Sequence, residues 1–511
     1  MAITTFAAID VGSFDLQLAI YEISQKNGIR CLDHMRKTVG VGADTYADGK
    51  ISTHLIDSMC TILKGFCQVM EEYQVKDCRA YATSALREAG NRQIVLDQIR
   101  VRTGIRVKVL SNSEQRFLCY KAIAVKENEF QSIIKKGTAI VDVGSGSTQL
   151  SLFDKDALVT TQYLKLGALR IKETLGHLDY DRVNYRMLIQ ELVDNDIDTF
   201  RKMFLKDRDI KNIIATGLCA LYLNRKGGGD RRADKMTVQE FMDFCGRMER
   251  MSPEKLSLEM DIPIEHAYLM PPSVMIFRKM IEITGAELLW IPGVNLCDGI
   301  VAEYGEEKRL ISFTHDFTED ILVAARNISK RYQGNKKHNQ SLEKLALDIF
   351  DSMKKYHGLG QRERLLLQLS VILHDCGKYI SMREPAESSY HIIMATEIIG
   401  ISHREREIVA YIVKYNTTKY EYEKIMNEVR NPETTNIIAK LVAIMRVGNA
   451  LDKSHKQKFD HVKMSLKEQK LVIVTETSED ISLEQNTFEN RARFFEEVYG
   501  IKPVLKRKRG V

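Results

Sequence analysis

Two periodicities share this chain, and the places where one gives way to the other mark its organisation. Residues 4–37 carry short apolar runs, Phe6-Ala-Ala-Ile9 and Leu16-Gln-Leu-Ala-Ile20 among them, broken by turn-forming residues in the manner of strands. Residues 52–74 space their apolar side chains as a helix does. A strand at 80–83, a helix over 85–103, a strand at 105–110 and a helix over 113–125 follow, and such alternation builds an α/β sheet. The pattern then begins again. Three strands fall within 137–163, helices over 169–175 and 181–204, a strand over 212–216 that ends in Gly217 and leads into a helix, and a last strand at 287–290. Residues 224–234, with Gly227-Gly228-Gly229 at their centre, read as a mobile loop. Near 305 the strand pattern stops. Helical spacing takes over at 317–330, 340–357, 361–376, 387–399, 403–416 and 433–451. Residues 458–505 return to mixed structure, with a hairpin over 462–475 and a helix near 484–498.

The two strand-rich stretches share a local signature. In each, the first apolar strand runs into Asp-x-Gly-Ser and a second strand starts at once: Ile9-Asp10-Val11-Gly12-Ser13, and Val141-Asp142-Val143-Gly144-Ser145-Gly146-Ser147-Thr148. Glycines let a backbone approach an oxyanion closely, and successive N–H groups form an anion-binding nest. The carboxylate beside each loop is suited to hold Mg²⁺ or a lytic water. One Gly/Ser hairpin is a weak signal, but a duplicated one facing a shared cleft resembles the actin, sugar-kinase and Hsp70 superfamily.

Composition narrows the picture. The chain has 511 residues, of which 44% are hydrophobic and 28% charged, as in an ordinary globular protein of several domains. No apolar run approaches the ~18 residues of a membrane span. Met1-Ala-Ile-Thr-Thr-Phe6 lacks the basic start of a signal peptide. Nine scattered cysteines, none in Cys-x-x-Cys spacing, suit a reducing cytoplasm and argue against a zinc site or a disulfide framework. The net charge of +6 is small, and the local clusters matter more: Lys135-Lys136, Arg225-Lys226 with Arg231-Arg232, and Lys506-Arg507-Lys508-Arg509. A phosphate polymer could use such patches, although each one alone also reads as a solvated loop or tail. Nothing calls for DNA or a membrane as partner.

Further motifs fall in a fixed order: Tyr81-Ala-Thr83-Ser84-Ala-Leu-Arg87-Glu88-Ala89, Leu110-Ser111-x-x-Glu114 and Leu164-x-Leu-Gly167-Ala-Leu-Arg170. With the two loops and the helical region after 305, they resemble the Ppx/GppA family of exopolyphosphatases and guanosine pentaphosphate phosphohydrolases, in its long form. The resemblance implies an α/β fold of two actin- or Hsp70-like (ribonuclease H-like) domains around a cleft, over 1–125 and 126–305. An all-α HD-like domain over 306–456 and a small α+β domain over 457–511 would follow. It implies removal of the terminal phosphate of inorganic polyphosphate or a guanosine polyphosphate, with Mg²⁺, in the cytoplasm. Dimerisation through the C-terminal domains is an expectation from the family alone. By resemblance Gly12, Ser13, Gly144, Ser145, Gly146, Ser147 and Thr148 hold phosphates, Arg87 clamps one, and Asp10 and Asp142 hold the metal or the water. A guanidinium fork suits that clamp because it is bidentate, although Arg87 alone would also read as a surface arginine at a helix.

This chain departs from the family pattern in the site itself. The usual Gly-Ser-Asn-Ser is Gly12-Ser13-Phe14-Asp15, and the usual Arg-Glu-Gly is Cys297-Asp298-Gly299. The usual pair of glutamates is Glu114-Gln115, whose second member is the family's catalytic base, and the usual Ser-Thr-Glu ends in Gln149. An amide cannot accept a proton at neutral pH. Two readings follow: a phosphohydrolase slowed at Gln115 and Gln149, or a sensor that binds the same ligands and has lost its base. A one-residue slip that makes Glu114 the base is the third arrangement to test. In the helical region Leu373-His374-Asp375, with His338 upstream, resembles the HD metal set, for which imidazole and carboxylate suit a divalent ion. Asn449 stands where an HD enzyme has Asp, and His391 is slightly out of register, so the dyad reads as vestigial. Hydrolysis in the helical domain is the minority alternative.

Overall fold

The computed structural model describes residues 3–155, 157–176, 182–206, 208–224, 234–459 and 462–508. Most of the expected glycine loop, both basic pairs near 225–232, residue 181 and Arg509 lie outside the described residues. The chain forms two compact units, Met1–Asp320 and Ile321–Val511.

In the first unit, strands β1 (Thr4–Val11), β2 (Asp15–Ser24), β3 (Gly28–Thr38), β4 (Asp77–Ala82) and β5 (Val107–Val109) make a sheet of order β3-β2-β1-β4-β5. β1, β2 and β3 are antiparallel neighbours, while β4 and β5 run parallel to β1. The plan repeats in β6 (Thr138–Val143), β7 (Thr148–Asp154), β8 (Ala157–Leu164), β9 (Asn212–Gly217), β10 (Lys235–Thr237) and β11 (Leu288–Trp290), ordered β10-β11-β9-β6-β7-β8. Again an antiparallel meander is followed by strands parallel to the first, β9 and β11, with β10 antiparallel at the edge.

Both sheets are covered on both faces, which is why their strands read as nearly unbroken apolar runs. Along β1, Ala7, Ile9 and Val11 pack with Met59, Leu63 and Phe66 of the helix Thr53–Glu72. The alternate residues Phe6 and Ala8 face Ile300, Val301 and Tyr304 of the helix Leu296–Glu307 and Leu118 of the helix Asn112–Ala124. A buried side chain of this size contributes roughly 1.5–3 kcal/mol. Gly299 is required there, because a Cβ would collide with the Leu118 carbonyl. The helix Leu296–Glu307, sequence-adjacent to the second sheet, therefore completes the core of the first, and the first compact unit runs on to Asp320.

Several elements differ from the periodicity. The helix expected over 85–103 is two, Ser84–Glu88 and Arg92–Thr103, because Ala89 turns extended and Gly90 donates to the Gly49 carbonyl at 2.8 Å. Short helices Val41–Asp48 and Glu127–Ile134, and the longer Val238–Met248 and Met270–Thr284, fall where no element is expected.

The second unit packs the helices Lys336–Ser352, Gln361–Leu373, Pro385–Ala395, His403–Thr417 and Pro432–Leu451. The helix Tyr422–Val429 is not apparent in the sequence pattern. A three-stranded sheet closes the chain: β12 (Val462–Lys467), β13 (Lys470–Glu476) and β14 (Lys502–Lys508), backed by the helix Ser482–Tyr499. The hairpin is where the pattern puts it, whereas β14, paired parallel to β13, falls in what reads as a basic tail.

Candidate active site

Two tight turns define the site. Gly12 donates to the Asp15 carbonyl at 3.0 Å, and Gly144 to the Ser147 carbonyl at 2.9 Å. Each turn follows the first strand of its sheet, and together they line a cleft of about 130 Å³ with Asp10, Gln115, Asp142 and Thr216. The second turn is closely packed: a Cβ on Gly146 would strike the hydroxyls of Tyr46 and Ser84, and one on Gly167 would strike the backbone of Gly146 and Ser147.

The loop residues divide by role. Gly12, Ser13, Gly144, Ser145, Gly146 and Ser147 line the cleft. The Ser13 hydroxyl is held by Tyr46 at 2.9 Å, lies 2.8 Å from the Ser84 hydroxyl and accepts from the Ala85 amide at 3.0 Å. The Ser145 carbonyl accepts from the amides of Leu169 at 2.8 Å and Arg170 at 3.1 Å, fixing the loop to the helix Ala168–Leu175. Thr148 is fully buried and donates to the Leu166 carbonyl at 2.5 Å, so its hydroxyl braces the loop from behind. Arg170 donates to the Gly146 carbonyl at 2.8 Å, forms an ion pair with Glu88 at 2.7 Å and lies 3.9 Å above the Tyr46 ring.

Asp10, which is buried, and Asp142, which is half-buried, sit at the ends of corresponding strands. Burial pushes the Asp10 carboxyl up to about 7, against the lowering charge of Arg36 and with the further raising charges of Asp15 and Asp142. Burial also raises Asp142, opposed by a hydrogen bond from Thr216 at 2.9 Å and by the charge of Arg116. Asp10 Oδ1 is buried with no hydrogen-bond partner among the described residues. A carboxylate pair that burial makes hard to ionise, with an unsatisfied oxygen beside the Gly/Ser turns, fits a hard divalent cation. Mg²⁺ takes oxygen ligands and keeps several waters, so one or two carboxylates suffice. Among the described residues no group of three or more His, Cys, Asp or Glu side chains is arranged as a metal cage.

The two residues of the Glu-Gln step separate sharply. Adjacent helical side chains point about 100° apart, from ~3.6 residues per turn. Glu114 belongs to a capping box on Ser111: one oxygen accepts from the Ser111 amide at 2.9 Å and the other from Lys108 Nζ at 2.7 Å. It does not line the cleft, whereas Gln115 does. Arg87 stands behind Gln115, donating to the Leu110 carbonyl at 2.7 Å and to Gln115 Oε1 at 3.3 Å. Gln149 lies directly across the ladder from Asp142, is 2% exposed, and both its amide atoms lack partners among the described residues.

Arg36, Thr216 and His266, which the sequence did not single out, complete the site together with Gly217 and Phe14. Arg36, paired in β3 with Gln17, donates to Gln17 Oε1 at 3.2 Å, and Gln17 in turn donates to Asp10 at 3.4 Å. Thr216 and Gly217 end a third strand at the cleft, where Gly217 has φ +102° and a Cβ would drive into the Val143 carbonyl. The Thr-Gly step closing a strand was the available signal. Phe14 packs on Ala168, Leu169 and Leu269 of the second lobe. Beside it the buried His266 Nε2 lies 3.1 Å from Asp15 Oδ1, and its Nδ1 bonds with the Tyr222 hydroxyl.

The HD-like residues fall in the second unit. The His338 and His374 rings are 5.2 Å apart. His338 Nδ1 is 2.7 Å from Asp452, not from Asn449, while the His374 ring bonds to the Val371 carbonyl at 2.8 Å. Burial lowers His374 to about 4, and Asp375 accepts from the Asn335 amide at 2.9 Å. His391 is 70% exposed and faces Glu387 at 3.4 Å.

Comparison with known proteins agrees with this architecture. A guanosine-5'-triphosphate,3'-diphosphate pyrophosphatase of Photobacterium profundum is 21% identical over 422 residues, covering 80% of each chain. An exopolyphosphatase of Cytophaga hutchinsonii ATCC 33406 superposes with a TM-score of 0.53 at 18% identity, over 60% of this chain and 100% of that one. An exopolyphosphatase-like protein gives the same TM-score at 19% identity, again over 60% and 100%. At such identities these two structures establish the fold alone. Among the described residues no helix is long and apolar enough to cross a membrane. The profile of the Ppx/GppA phosphatase family matches residues 19–306 and that of its domain III matches 323–492, so this chain belongs to the Ppx/GppA phosphatase family.

Proposed function

We propose that this chain removes the terminal phosphate of inorganic polyphosphate or of a guanosine pentaphosphate, with Mg²⁺, and does so slowly. The observation that carries the reading is the pairing of two Gly/Ser turns and two carboxylates whose pKa burial raises with an amide, Gln115, at the cleft wall. Asp10 and Asp142 would hold Mg²⁺, which when bound offsets the negative charge of the phosphates. The loop backbones orient the terminal phosphate. Gln115 positions the attacking water through its carbonyl oxygen, as a glutamine does in some GTPases, while Arg87 fixes the amide. A bond forms from the water oxygen to the terminal phosphorus and the bridging P–O bond breaks. With no carboxylate at position 115, the water's proton passes to a phosphate oxygen. General-base assistance is worth roughly 10²- to 10⁴-fold, and that is the rate given up.

The sensor reading rests on the same amides and on Phe14 and His266, which tie the two lobes across the cleft. Phosphate release from long-chain polyphosphate and from the pentaphosphate, with calorimetric titration of both on the same sample, separates the two. Slow release with Mg²⁺-dependent binding supports the hydrolase, and binding with no release supports the sensor. Absence of both binding and release for both ligands refutes the pair.

A further inference from the structure

Among the described residues that line the cleft, Arg36 carries the only cationic side chain. Arg87, which family resemblance nominates as the phosphate clamp, is not part of that lining, and its guanidinium donates to the Leu110 carbonyl and to Gln115. Register explains how a residue of the edge strand reaches the site. Gln17 of β2 stands directly opposite Asp10 of β1, and Arg36 of β3 directly opposite Gln17. Directly opposed side chains share one face of a sheet, so Asp10, Gln17 and Arg36 form a row at the cleft end of the first sheet. Arg36 Nη2 donates to Gln17 Oε1 at 3.2 Å, and Gln17 Nε2 to Asp10 at 3.4 Å. Asp15, which stands where the family has a serine, braces the guanidinium: its Oδ2 lies 3.7 Å from Arg36 Nε. Asp15 Oδ1 is itself held by the Thr38 hydroxyl at 2.8 Å and by His266 Nε2 at 3.1 Å. Arg36 Nε is buried with no hydrogen-bond partner among the described residues.

A planar fork held in place on two sides, with a donor left over, is suited to an oxyanion. Strand order decides which oxyanion. The sheet runs β3-β2-β1-β4-β5. Gln115 opens the helix that follows β5, on one side of Asp10, and Arg36 on β3 lies on the other side. In phosphoryl transfer the attacking and leaving oxygens lie roughly in line, on opposite sides of the phosphorus. With the water at Gln115, the bridging oxygen and the phosphate behind it fall toward Arg36.

We propose that Arg36 holds the penultimate phosphate and stabilises the leaving oxygen, opposite the water at Gln115. The proposal rests on the hydrolase reading above. As the water oxygen bonds to the terminal phosphorus, the bridging P–O bond breaks and its electron pair stays on the oxygen of the departing chain. Arg36, protonated throughout, donates a hydrogen bond to that oxygen and keeps its proton. Calorimetric titration of the full chain in Mg²⁺ with orthophosphate, pyrophosphate and tripolyphosphate tests the assignment. Orthophosphate takes the terminal place between the turns and has no penultimate group. Arg36→Gln should therefore bind orthophosphate as wild type does, and the other two at least about tenfold more weakly, the loss of a charge-assisted hydrogen bond. Its kcat on tripolyphosphate should fall about 10²- to 10³-fold, as when one oxyanion donor is removed. Guanidinium ion added to Arg36→Ala should restore part of that rate, which a purely structural role would not allow. Equal losses for all three ligands overturn the proposal, since a displaced loop or a contact to the terminal phosphate would give them. Wild-type affinity for all three, or wild-type kcat, also overturns it. If wild type releases no phosphate, the hydrolase reading fails by itself, and the three titrations still decide whether Arg36 holds the penultimate phosphate.

Discussion

At the scale of single residues, the separation of Glu114 from Gln115 decides the most. Glu114 belongs to the Ser111 cap and the Lys108 pair, so Glu114→Gln, whose amide oxygen still accepts from the Ser111 amide, should leave turnover within about twofold of wild type and cost less than about 1 kcal/mol of stability through the exposed Lys108 pair. Gln115→Glu should raise phosphate release at least tenfold within the range of general-base assistance, alone or with Gln149→Glu. Steady-state turnover at saturating polyphosphate checks both, and a dead Glu114→Gln variant contradicts this assignment. Asp10 makes a prediction about pH. Its folded pKa of about 7 lies above the ordinary carboxylate value of 3.8, so the folded state holds the proton more tightly. Its contribution to stability is complete below pH 4 and is lost as pH rises through 7. Without Mg²⁺, wild type should lose more thermal stability between pH 5 and pH 8 than Asp10→Asn does. Added Mg²⁺ should restore wild type at pH 8 and leave the variant unmoved.

At the scale of elements, the sequence disclosed what repeats locally and hid what depends on distant partners. The strand–Asp-x-Gly-Ser–strand units were legible because turn chemistry and β-branched runs are properties of neighbours in the chain. The break between Ser84–Glu88 and Arg92–Thr103 was not, since it depends on a hydrogen bond to Gly49, far away in sequence. Arg36 was equally hidden, because only the β2–β3 register brings it beside Gln17 and the cleft. Gly217 was visible as the end of a strand but not as a wall of the site. Its positive φ and its approach to the Val143 carbonyl predict that Gly217→Ala costs about 1–3 kcal/mol, measured by urea unfolding. Phe14, an aromatic where the family has an amide, looked like a defect in the loop, yet it is packed into the second lobe. Phe14→Ala should cost about 3 kcal/mol by loss of buried apolar contact, with the midpoint of unfolding as the readout.

At the scale of the whole molecule, chain order and core membership disagree in one place. Phe6, Ala19, Tyr21 and Ile23 near the start are covered by Leu296, Ile300, Val301 and Tyr304. A chain ending at residue 294 should therefore remain partly unfolded, with exposed apolar surface that binds a hydrophobic dye. One ending at Asp320 should melt in a single cooperative transition. The same arrangement governs how the protein is made. Ribosomes extend a chain at ~5–20 residues per second, and domains fold as their last parts emerge. The first sheet is synthesised early, but one of its faces has no cover until the helix Leu296–Glu307 leaves the ribosome. For on the order of ten seconds or more at those rates, an unfinished apolar surface waits in the open while the whole second lobe is built. The nascent chain is thus a client for chaperones over a defined window, and synonymous codon changes that slow translation between the two lobes should lower the yield of soluble protein without altering a single residue.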